Sequence, residues 1–180
     1  EQEIDVSNGD LTIDVAGDIT LDADGGDIIF KDNTLQFMHI GSGTNVAIGA
    51  YAGNALGTTD LKSIAIGKNS LKNENAAEGN IAIGHDAMRV CNDDGANYNI
   101  AIGFEAMENC TDLGAYNIAI GFQALDTDGV DASNNVAIGS DAMGAGGVEG
   151  NSQVAIGHNS LYNLSTGTGN ICVGYRTGYS

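Results

Sequence analysis

The sequence predicts an all-β protein: a parallel β-solenoid of about eight 18-residue coils, preceded by a short β-rich segment. Three observations predict it. One pentapeptide recurs eight times, each copy alternates polar and aliphatic residues with the period of a strand, and Gly-, Asn- and Asp-rich stretches separate the copies. The chain has 180 residues, 42% apolar, with 27 Gly and no Pro or Trp, enough for one domain or two small ones.

The copies begin at Asn45, Ser63, Asn80, Asn99, Asn117, Asn135, Gln153 and Asn170. Each reads polar, Ile or Val, Ala, Ile or Val, Gly, with Cys172 replacing Ala in the last. The closing glycines are Gly49, Gly67, Gly84, Gly103, Gly121, Gly139, Gly157 and Gly174, spaced 18, 17, 19, 18, 18, 18 and 17. Within a unit such as Asn99-Ile100-Ala101-Ile102-Gly103, the two β-branched residues fall on one face and Asn, Ala and Gly on the other. A helix is excluded because the segments are short and Gly recurs too often. Stacking at about 4.8 Å puts like residues in columns, in a rod about 40 Å long. A single coil cannot bury its own apolar face and gains a core only from its neighbours. Which strand face lies against other chains is not fixed by the pattern.

After each Gly and two variable residues comes a small residue followed by a long apolar one: Ser70-Leu71, Ala87-Met88, Ala106-Met107, Ala124-Leu125, Ala142-Met143 and Ser160-Leu161. The outer copies differ, with Ala52-Gly53 before a delayed Leu56 and with Thr177-Gly178, as end units with altered turns would. The remaining residues are turn formers such as Asn92-Asp93-Asp94-Gly95, and all length variation falls among them, as in surface loops. A left-handed hexapeptide helix fits Ile102 to Met107, but residues 108–116 lack the aliphatic residue every sixth position that such a coil requires.

Six Lys+Arg against 24 Asp+Glu give a net charge of −18, which opposes nucleic-acid and anionic-membrane partners. No apolar run approaches the roughly 18 residues of a membrane helix, and the first residues show no signal-peptide pattern. The chain opens at Glu1 without Met and stops at Ser180 inside a repeat unit, so a longer natural protein is expected.

The repeat Asn-(Ile/Val)-Ala-Ile-Gly-x-x-(Ala/Ser)-(Leu/Met) with its polar loop resembles repeats in tail-fibre and receptor-binding proteins of tailed bacteriophages. It is also similar to the head of trimeric autotransporter adhesins, where a Val-Ala-Ile-Gly strand builds a left-handed β-roll. The resemblance covers residues 45–180 and implies a left-handed β-roll in a homotrimeric fibre. Residues 1–44 repeat short alternating strands, Asp10 to Val15, Gly17 to Asp22 and Gly26 to Phe30, resembling a fibre shaft or neck. The resemblance therefore implies two regions, a shaft over 1–44 and a β-roll over 45–180. It further implies a structural and attachment role on a virion or an extracellular surface, with a cell-surface glycan or protein as receptor. The alternatives are a bacterial surface adhesin, a structural filament subunit and, least favoured, a polysaccharide depolymerase.

No Ser-His-Asp or Cys-His arrangement has supporting context, and acidic pairs such as Asp93-Asp94 and Asp126-Asp128 fall in turns, so no enzyme activity is expected. Asp22, Asp24 and Asp27 with Gly25 and Gly26 have the spacing of an oxygen-ligand calcium loop, but Asn33 stands where the twelfth-position acid belongs. An acidic turn between two solvated strands is the preferred reading of these residues, with calcium as the one candidate ion; no other cofactor is expected. His39, His85 and His158 are too scattered to form a metal site. His85 and His158 follow the repeat Gly in a column that otherwise carries Ala50, Lys68, Phe104, Phe122, Ser140 and Tyr175, a variable edge suited to recognition. Tyr51, Phe104 and Phe122 are the receptor-contact candidates, since aromatic rings give contact area at low entropic cost and stack on sugars.

Cys91 and Cys110 each lie seven residues after their Gly, in one column of adjacent coils. The coil rise of about 4.8 Å falls within the roughly 4.4–6.8 Å Cα span of a disulfide, so a bond or two neighbouring thiols both fit. Cys172, in the motif Ala position, is expected to be a small buried hydrophobe. The Asn column predicts an amide ladder, each side chain pairing with those above and below.

Overall fold

The computed structural model describes residues 28–32, 35–40, 45–54, 56, 62–73, 78–91, 95–109, 114–126, 132–145, 150–164 and 166–179. They form one ten-stranded sheet in sequence order. β1 (Ile28–Asp32) and β2 (Leu35–Ile40) are antiparallel, and β2 runs antiparallel to β3 (Val46–Ile48). From β3 onward all pairing is parallel: β4 (Ile64–Ile66), β5 (Ile81–Ile83), β6 (Ile100–Ile102), β7 (Ile118–Ile120), β8 (Val136–Ile138), β9 (Val154–Ile156) and β10 (Ile171–Val173). The eight parallel strands recur about every 18 residues and make a β-solenoid, and no helix occurs among the described residues. Register is the sequence repeat itself: Ala101 lies opposite Ala82 on one side and Ala119 on the other.

The sheet is only one wall of each coil. Past each Gly the chain turns a corner with left-handed residues at alternate positions, such as Glu105 (φ 55) and Met107 (φ 50). Most residue types avoid this region, at a cost of about 1–2 kcal/mol each. The alternation points backbone groups along the stacking direction. Glu105 N–H donates to the His85 carbonyl in the coil before, at 3.0 Å, while Met107 N–H donates to the Ala124 carbonyl in the coil after, at 3.0 Å. The same pair of bonds recurs from coil to coil, so the corner is stitched to both neighbours as firmly as a strand.

The core lies between this corner and the sheet. Leu71, Met88, Met107, Leu125, Met143 and Leu161 point inward and are almost completely buried, facing the Ala column of the strands and the Ala/Ser column beside them. The long side chains fill the narrow interior, so the facing strand position holds only Ala. Ile and Val are thereby turned outward. The motif Gly closes the strand where neighbouring coils leave no room for a side chain: a Cβ on Gly103 (φ +142) would lie 2.7 Å from the Gly121 carbonyl carbon.

Two expectations are corrected. The buried amides do not pair with each other. Asn99 Oδ1 accepts the backbone N–H of Asn117 at 2.8 Å, and Asn117 Oδ1 accepts that of Asn135 at 2.9 Å. The amide nitrogens donate instead to loop carbonyls, Asn80 to Ala96 at 2.7 Å and Asn117 to Ala132 at 2.8 Å. A backbone N–H with no strand partner at this bend is the stronger claimant for the oxygen, and the column joins sheet to loop as well as coil to coil. Asn135 Nδ2, by contrast, is buried with no hydrogen-bond partner among the described residues. The second correction is Cys172, which is only half-buried because β10 has a neighbouring strand on one side alone.

Candidate interaction surface

The outer face of the parallel sheet carries two columns of aliphatic side chains, running from Val46 and Ile48 in β3 to Ile171 and Val173 in β10. No charged or polar residue interrupts either column. Along most of the sheet these residues are half-buried, Ile120 and Ile156 reach 36% and 37% exposure, and Ile171 and Val173 are largely exposed. Seven strand steps of about 4.8 Å make the face about 34 Å long. Parallel sheets occur almost only with both faces covered, and here the coil interior covers one of them.

Aromatic residues line both ends of the strands. Past the Gly, His85, Phe104 and Phe122 form a continuous stack, with ring centroids 5.2 and 5.6 Å apart and planes within 7°. Ser140 interrupts the column, and His158 then stacks on Tyr175 at 5.5 Å. The two histidines thus share a column but serve separate stacks, and His85 Nδ1 lies 2.9 Å from Asp86 Oδ2. Phe104 has both faces covered by its neighbours and presents its edge to solvent. Before the motif Asn, Tyr98 stacks on Tyr116 at 5.5 Å, and both rings are exposed.

The structure does not bring Tyr51 together with Phe104 and Phe122. Tyr51 is exposed, two residues past its Gly rather than one, and Lys72 Nζ stands 5.4 Å from its ring centre. Tyr98 and Tyr116 escaped the sequence reading although both directly precede a motif Asn; that shared offset was the available signal. So did Tyr162 and Tyr179, stacked at 5.5 Å with the Arg176 guanidinium 4.3 Å from the Tyr179 ring centre.

Beside the corner runs a polar column. Arg89 pairs with Glu108, Gln123 Nε2 donates to Glu105 at 2.8 Å, and Asp126 accepts from Asn109 N–H at 3.1 Å and Nδ2 at 3.2 Å. Burial pushes the Asp126 carboxyl above its ordinary range; the Asn109 bonds oppose this, and the charges of Glu108 and Glu105 add to it. No group of three or more metal-ligating side chains occurs among the described residues.

Cys91 is fully buried and disulfide-bonded, and Cys172 is a free thiol. Cys110, the expected partner of Cys91, lies outside the described residues, as do the calcium candidates Asp22, Asp24 and Asp27. Of His39 only the backbone is described, paired with Ile29 and Ala47. Comparison with protein-family models, curated proteins and solved structures finds no match to this chain.

Proposed function

We propose that the chain is a structural and attachment protein: a trimeric, tail-fibre-like rod of left-handed β-roll that mediates adhesion to a host cell surface. The observation that carries this reading is the unbroken Ile/Val face. A lone chain leaves that face half open to water, whereas parallel copies around an axis along the stack bury it as a common core. The polar corners and loops then face outward, and the −18 charge per chain keeps assembled rods apart in solution. A rod with every coil bonded to the next suits a load-bearing tether, and several receptor sites per rod compensate for weak single contacts by avidity.

The test is the solution mass by light scattering after size exclusion, with 18.3 kDa per chain as the ruler, followed by binding to candidate host cells. Three chains in an elongated particle that binds cells is the expected result. A compact single chain overturns the reading, and open-ended assemblies point to a filament subunit. Shortening of surface glycan on incubation would point to a depolymerase.

A further inference from the structure

We propose that Tyr98 and Tyr116 of one chain pack against Phe104 and Phe122 of the next copy around the assembly axis, sealing each seam with an aromatic belt. This rests on the reading that the Ile/Val face is buried between copies.

Tyr98 and Phe104 bracket Ile100 and Ile102 at the two ends of β6, and Tyr116 and Phe122 bracket β7 in the same way. The strands run across the stack. Cyclic symmetry about an axis along the stack therefore sets the start of one strand's outer face against the end of its neighbour's, head to tail and at the same coil level. This holds whether two copies or three close the ring. Tyr98 thus meets Phe104 of the next copy, and Tyr116 meets its Phe122.

The sequence places aromatics accordingly. Of the eight repeats, only these two carry an aromatic residue at both ends; the other flanking pairs are Thr44 with Ala50, Lys62 with Lys68, Gly79 with His85, Asn134 with Ser140, Ser152 with His158, and Gly169 with Tyr175. The four rings are 46%, 58%, 44% and 47% exposed for Tyr98, Tyr116, Phe104 and Phe122, a large apolar area to leave in water beside an aliphatic face. Each row is already ordered by its own stack, with planes within 11° and 7°, so little side-chain freedom remains to be lost on docking. Aromatic residues are enriched at the energetic centres of interfaces.

The test is Tyr98→Cys with Phe104→Cys in a Cys172→Ala background, which restores the motif Ala, oxidised and run on a non-reducing gel. Within one chain the strand Ile100–Ile102 lies between the two positions, one before its start and one past its end, which holds them beyond the roughly 4.4–6.8 Å Cα span of a disulfide. The expected result is covalent species at multiples of 18.3 kDa that reductant collapses to a single chain. Tyr116→Cys with Phe122→Cys should behave alike and stands in should the first pair fail to fold. The off-level pair, Tyr98→Cys with Phe122→Cys, should link at least tenfold more slowly. Multimers by light scattering with no cross-link from either level-matched pair overturn the belt and leave the rod reading intact. A single chain by light scattering overturns both.

Discussion

Removing one buried amide tests whether the Asn column holds coils together through the backbone. Asn117 is completely buried; its Oδ1 accepts Asn135 N–H at 2.9 Å, and its Nδ2 donates to the Ala132 carbonyl at 2.8 Å and the Gly114 carbonyl at 3.3 Å. Gly114 keeps a second donor, Asn99 Nδ2, at 3.1 Å. Asn117→Ala therefore orphans two buried backbone groups, Asn135 N–H and Ala132 C=O. Each costs ~1–3 kcal/mol, so the variant should lose about 3 kcal/mol per chain. Asn151 supplies the internal control: its Oδ1 also accepts an inter-coil N–H, that of Ser133 at 2.6 Å, but at an exposed site where water takes over the bond. Asn151→Ala should cost about 0.5 kcal/mol. The assay is urea unfolding followed by circular dichroism, with both variants at the same protein concentration. Equal midpoint shifts for the two variants, with unchanged slopes, would refute the burial argument.

Gly103→Ala should destabilise by more than about 2 kcal/mol, since the new methyl both meets the Gly121 carbonyl and forces Ala to a φ of +142; a neutral result in the same urea assay counts against close coil approach at that corner. Asp126 gives a pH signature. Its carboxyl titrates above the ordinary 3.8 in the folded state, so its favourable contribution is complete below that value and is lost as pH rises through the raised value. Asp126→Asn, which keeps the bonds from Asn109, should raise the melting temperature at pH 7 and leave it unchanged well below pH 3.8. An equal effect at both pH values would show that the carboxyl carries no burial penalty.

How far the sequence could be read follows from which interactions are periodic. The strand starts at Val46, Ile64, Ile81, Ile100, Ile118, Val136, Val154 and Ile171 lie where the pentapeptide puts them, because two-residue alternation and a constant Gly are local signals repeated eight times. The left-handed corners at Glu105 and Met107 were not legible. Neither residue type favours that conformation, and what imposes it is bonding to the coils on either side. The role of the amides was only half legible: Asn99 and Asn117 mark a stacked column, but whether an oxygen takes an amide or a backbone N–H depends on the bend at the strand start. The candidate surface divides likewise. Phe104 and Phe122 are visible as a column in the sequence, whereas the outward turn of Ile100 and Ile102 is not.

By itself the sequence determined the period, the strands, their in-register parallel stacking and the separation of Ile/Val from Asn/Ala/Gly, because each follows from side-chain spacing along an extended backbone. Only the tertiary structure decided which of those faces is the inside. A coil closed by Leu71, Met88, Met107, Leu125, Met143 and Leu161 has no room for a second row of large side chains, so Ala takes the interior and the more hydrophobic Ile and Val are left on the surface.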